Sequence, residues 1–75
     1  MTEKTYNGWT NYETWNVALW IGNDEGLYNM AREAGSYRAF TGMMRDCECT
    51  ETPDSVAWND SGLDLDALEE MVAEL

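Results

Sequence analysis

From Tyr12 to Ile21 apolar side chains fall on both sides of any helix drawn through the segment. At 100° per residue, Tyr12, Trp15, Asn16 and Leu19 share one face, and Val17, Trp20 and Ile21 cover most of the opposite one. A helix apolar nearly all round belongs in the middle of a fold. Thr10-Asn11-Tyr12-Glu13 has the form of a capping box, with Thr10 accepting from the Glu13 backbone N–H and Glu13 reaching back. The pattern predicts a helix from about Asn11 to Ile21, ended at Gly22. Asn16 on this helix is a buried amide and is expected to satisfy a backbone group.

A second helix is predicted from Asn23 or Asp24 to about Ala34. Its inner stripe is Leu27, Met30, Ala31 and Ala34, Glu25 suits its N-terminal dipole, and Gly35 stops it. Ser36 is positioned to cap a third helix running to about Cys47, with Tyr37, Phe40 and Met44 facing inward and Gly42 weakening it. Thr52-Pro53-Asp54-Ser55 and Asn59-Asp60-Ser61-Gly62 are turn chemistry. Between them, Val56-Ala57-Trp58 is a short extended stretch that plugs Trp58 into the core. Asp64 caps a last helix, about Leu65 to Glu74, with an apolar stripe of Leu65, Leu68, Met71, Val72 and Leu75. Asp66, Glu69, Glu70 and Glu74 fan across its other side. The fold class is mainly α: a small bundle of three to four short helices with a loop or short extended segment around residues 50–62, forming a single domain over residues 1–75.

The length changes what such a bundle can do. A chain of 75 residues buries only about 60% of the surface it exposes when unfolded, so its stability is modest. Four Trp, four Tyr and one Phe offset this, since each large ring buries roughly 150–250 Å². No apolar run approaches the ~20 residues of a membrane span. Met1 to Asn7 lacks the layout of a signal peptide, which makes the Asn59-Asp60-Ser61 sequon a chance match and a cytoplasmic location the expectation.

Charge divides the chain. The net charge is −11, from 15 acids and 4 bases. Residues 1–45 hold five acids against Lys4, Arg32, Arg38 and Arg45. Residues 46–75 hold Asp46, Glu48, Glu51, Asp54, Asp60, Asp64, Asp66, Glu69, Glu70 and Glu74, and no base. Compacting that segment works against self-repulsion. It serves either as a solubilising face or as a negative surface shaped for a basic partner. Arg38 and Arg45 share a helix face and are placed to meet it. Direct binding to nucleic-acid phosphates is disfavoured by sign.

Candidate chemistry is sparse. The chain has no histidine, the commonest general acid–base group, and no phosphate loop, nucleophile elbow or metal helix motif. Carboxylates alone, without environments that separate their pKa values, are not a catalytic site. An enzyme is therefore not expected, nor a cofactor. A calcium loop fails on spacing, because Gly62 at position 6 puts Ala57 at position 1 and Leu68 at position 12. Cys47 and Cys49, without histidine, do not make a standard zinc site; they are ordinary thiols, or partners in an intermolecular disulfide or a soft-metal contact.

Gly8-Trp9-Thr10-Asn11-Tyr12-Glu13-Thr14-Trp15-Asn16-Val17-Ala18-Leu19-Trp20-Ile21, followed by Asn23-Asp24-Glu25, resembles small phage and bacterial proteins sharing an N-Y-E-T-W-N-V-A-L-W signature. The resemblance covers roughly residues 7–31, and Thr52-Pro53-Asp54 extends it. It implies a phage or mobile-element setting and supplies no site, cofactor or mechanism. Joined to the charge, it leads to an inhibitor of a basic host protein. Its carboxylates would occupy the Lys and Arg positions of a nucleic-acid groove in a CRISPR effector, restriction enzyme, other nuclease or RNA polymerase. The candidate residues are Asp60, Asp64, Asp66, Glu69, Glu70 and Glu74, with Asp46, Glu48, Glu51 and Asp54 as a second group. The alternative is an adaptor or inhibitor that binds through aromatic and apolar surface, with Trp9 or Tyr12 as anchor and the acids only solubilising. A homodimer is a third possibility beside a monomer, since the first and last helices offer much apolar face.

Overall fold

A computed structural model describes residues 8–75. Four helices follow one another: α1 (Tyr12–Asn23), α2 (Glu25–Ala34), α3 (Tyr37–Asp46) and α4 (Leu65–Ala73). The fold is the small mainly-α bundle that the pattern predicts. No helix among the described residues is long and apolar enough to cross a membrane.

Short polar side chains set the helix starts. Asp24, Ser36 and Asp64 cap α2, α3 and α4, accepting from the backbone N–H groups of Leu27, Ala39 and Ala67. The start of α1 differs from expectation. Asn11, not Thr10, is the cap, its Oδ1 accepting from the Thr14 N–H at 2.9 Å. Thr10 instead donates its hydroxyl to the Asp64 carboxylate. Asn is the stronger cap, and Thr10 has a charged acceptor to reach for. Gly22 does not end α1. Asp24 ends it, with its N–H on Trp20 O, while its side chain opens α2. Gly35 closes α2 in the left-handed region (φ 83°), where a missing Cβ removes the penalty.

Helix α3 closes in the same way on a less suitable residue. Cys49 N–H reaches Met44 O and Glu48 N–H reaches Arg45 O, the paired bonds of a Schellman cap. The left-handed position is Glu48, at φ 62°. Glu48→Gly is expected to raise stability by about 1 kcal/mol, by relieving the left-handed strain and removing one like charge. Urea titration would show it as a higher midpoint at unchanged slope.

The core gathers Val17, Ala18 and Ile21 of α1, Ala31 of α2, Tyr37, Phe40 and Met44 of α3, Leu68 and Val72 of α4, and Val56, Trp58 and Leu63 of the connecting segment. Helices α1 and α3 each pack on α2 and α4. The segment between α3 and α4 makes a two-rung turn: Glu51 bridges Ala57, and Thr52 N–H bonds Val56 O at 2.8 Å. This places Trp58 edge-on against Phe40, at 5.2 Å between ring centroids and 89° between planes. The Tyr37 hydroxyl donates to Trp58 O, and burial pushes that phenol's pKa up, with Glu69 adding to the shift. Leu65 does not join the inner stripe of α4. It is 53% exposed, and Leu63, just before the cap, is buried in its place. Tyr12 and Leu65 are the large apolar side chains left exposed among the described residues, so α1 and α4 bury most of their apolar faces within one chain.

Candidate functional site

The polar residues of the aromatic N-terminal segment face the C-terminal half of the chain. Asn11 Nδ2 donates to Gly62 O at 2.6 Å. Thr14 Oγ1 accepts from Asp64 N–H at 2.9 Å. Asn16, fully buried, donates to Asp54 at 2.8 Å and accepts from the Thr52 hydroxyl at 2.7 Å. Trp20 Nε1 adds a second bond to the same Asp54 oxygen at 3.0 Å. Thr52 Oγ1 also accepts from the N–H groups of Asp54 and Val56. Asn16 thus finds side chains rather than the backbone group expected. These bonds fasten residues 52–64 to α1, and with them the base from which α4 projects.

The clamp consumes part of the candidate acidic surface. Asp54 is held below the usual carboxylate range by its bond from Asn16, then by that from Trp20. Asp64 is lowered by its bond from Thr10, then by that from the Ala67 N–H. Asp60 accepts from Gly62 N–H at 2.7 Å. Glu69 sits across the N-terminus of α3, its two oxygens each 2.9 Å from the Tyr37 and Arg38 N–H groups, where the helix dipole favours a carboxylate. These four acids hold the fold. Neither Arg38 nor Arg45 forms an ion pair with a described residue, so the expected meeting of those arginines with the acids does not occur there.

The lowered acids carry a pH prediction. A carboxyl whose folded pKa lies below its unfolded value stabilises fully above the unfolded value, 3.8 for both Asp54 and Asp64. That contribution is lost as pH falls through the folded value. The stability gap between the wild type and Asp54→Asn/Asp64→Asn should therefore be constant from neutral pH to about pH 5 and shrink below about pH 4. Urea titrations at each pH measure it, and a gap unchanged down to pH 2.5 would refute the linkage.

Besides Asp54, which is exposed but hydrogen-bonded, six candidate acids are exposed: Asp46, Glu48, Glu51, Asp66, Glu70 and Glu74. Five of these six fall in two groups. Asp66, Glu70 and Glu74 follow one another at intervals of four along α4, about 6 Å apart along its axis. Glu70 and Glu74 edge an open groove of about 670 Å³ whose other walls are Gly8, Trp9, Thr10, Ala67, Met71 and Leu75. Trp9 is half-buried there, so a candidate aromatic anchor and two candidate acids share one concavity. Tyr12 lies outside that groove, 40% exposed, with its ring 5.7 Å from that of Trp15. Glu48 and Glu51 line a different cavity, beside Cys47 and Cys49. Among the described residues no three His, Cys, Asp or Glu side chains form a group that holds a metal ion.

The clamp residues were the functional part of the pattern that sequence reasoning missed as a set. Their signal is small polar residues at the cap of α1 (Asn11) and at positions 14 and 16 of that largely apolar helix, matched by Thr52 and Asp54 about forty residues on. Comparison with curated proteins and with solved structures finds no match. Over residues 2–75 the chain matches the model of a family of unknown function (DUF7249), and it belongs to that family.

Proposed function

We propose that the protein is a non-enzymatic binding protein of phage or mobile-element origin that attaches to a basic, nucleic-acid-binding host protein and inhibits it. The exposed line Asp66, Glu70 and Glu74 and the Trp9 groove beside it form the contact. The observation that carries this reading is the placement of Glu70 and Glu74. Both lie in or after the last turn of α4, which has no base. Carboxylates there oppose the helix dipole and destabilise the helix, so local folding gives no reason for them. A cationic side chain with a long apolar stem suits the groove: its head meets Glu70 and Glu74 while its stem lies on Trp9, Met71 and Leu75. Carboxylates spaced along a rigid helix present to a cationic cleft the sign and regularity of a phosphate backbone.

The test is capture from bacterial lysate on immobilised protein, with elution by salt. Nucleic-acid-binding proteins should be enriched in the fraction released between about 50 and 500 mM salt, because exposed charge contacts are screened over that range. A contact made through Trp9 and apolar surface alone, the second reading, would survive the salt step and be lost in Trp9→Ala.

A further inference from the structure

The second cavity carries a different chemistry. The Schellman cap at the end of α3 turns the chain so that Cys49 folds back over the helix terminus, its Sγ 3.7 Å from the Cys47 carbonyl oxygen. Both thiols are exposed, and both line one cavity of about 670 Å³ with Met44 of α3 and Met30 of α2 on its walls. Four of the chain's seven sulfur-bearing residues therefore line one cavity. The Cys49 N–H bond to Met44 O, at 2.9 Å, ties the backbone of one lining residue to that of the other. Asp24, Glu48 and Glu51 also line the cavity, and no Lys or Arg does. The ligands are soft and the surroundings are negative.

We propose that Cys47 and Cys49, with the Met44 thioether as third ligand, form a site for copper(I). Thiolate and thioether donors select this soft monovalent ion. It needs only two or three ligands, whereas a structural zinc site needs four thiolate or imidazole donors, and this cavity supplies two thiols and no imidazole. Binding forms two sulfur–copper bonds, releases the two thiol protons to solvent and leaves the copper oxidation state unchanged.

The test titrates reduced protein with copper(I) under anaerobic conditions against the coloured chelator bathocuproine disulfonate. The expected result is one copper per chain, with thiolate-to-copper absorption growing below about 300 nm. Cys47→Ser and Cys49→Ser should each weaken binding at least ~100-fold; both positions are exposed, so circular dichroism should be unchanged. Met44→Leu, a volume-conserving change, should weaken binding several-fold. The site is refuted if the chelator keeps all the copper, if the Cys47→Ser/Cys49→Ser double variant binds as well as the wild type, or if one copper joins two chains by sedimentation. An unchanged affinity in Met44→Leu would remove Met44 from the ligand set.

Discussion

Asn16→Ala is expected to lower the stability of this protein by about 3 kcal/mol, the largest effect of any single polar substitution in it. Asn16 is fully buried, and its amide is the joint between α1 and the segment that carries Thr52 and Asp54. Truncation deletes two hydrogen bonds and leaves the buried Thr52 hydroxyl without its acceptor and Asp54 without its nearer donor. The buried Thr52 hydroxyl carries most of this loss, since an unsatisfied buried group costs about 1–3 kcal/mol, whereas the exposed Asp54 carboxylate turns to water. A chain of 75 residues has roughly 4–11 kcal/mol in total, so the variant should melt more than ~10 °C lower. Asn16→Asp, which keeps the shape but sets a second carboxylate against Asp54, should be at least as damaging. Thr52→Val should fall in the same direction, because its hydroxyl also accepts from two backbone N–H groups. Chemical denaturation of the three variants decides the matter: an Asn16→Ala protein within about 0.5 kcal/mol of wild type would show that the clamp does not hold the loop.

Glu70→Lys/Glu74→Lys should abolish retention of the captured partner, by 100-fold or more in affinity, and at the same time make the free protein more stable. The two effects have separate causes. Binding fails because two like charges now face the cationic surface, which costs several kcal/mol when they cannot move apart. Stability rises because bases near the C-terminus of α4 follow the dipole, by about 0.5 kcal/mol each, and because the crowd of acids in residues 46–75 is thinned. Glu69 must be left alone in this experiment: it caps α3 through the Tyr37 and Arg38 N–H groups, and reversing it would confuse loss of fold with loss of contact. Asp66 is also kept, since it lies in the first turn of α4 where a carboxylate is favourable. Retention equal to wild type in the double variant would sink the acidic-face proposal. A variant that loses both binding and stability would mean that these acids are structural.

The starts of α2, α3 and α4 and the end of α2 were legible because they depend on neighbours in the chain, whereas α1 is capped and ended by residues other than those expected. Asp24, Ser36, Gly35 and Asp64 cap or stop helices through bonds spanning three or four residues, and short polar residues or glycine at those places advertise the role. The inner faces of α2 and α3 follow from periodicity for the same reason. Leu65 shows the limit: its spacing fits the stripe of α4, yet whether a first turn is covered depends on what lies opposite, and Leu63 fills that space instead.

The candidate site divides along the same line. Sequence alone determined that the last 30 residues carry a net charge of −10, that histidine chemistry is missing, and that Trp9 and α4 each have something to offer a partner. Only the tertiary structure decided which acids are available. Asp54, Asp60, Asp64 and Glu69 are drawn into hydrogen bonds, three of them with donors 31 to 54 positions away; Glu70 and Glu74 are left facing outward beside Trp9. A carboxylate's charge is a property of its residue, whereas its hydrogen-bond partner is set by which distant segment the packed core brings within 3 Å, and no local pattern encodes that distance.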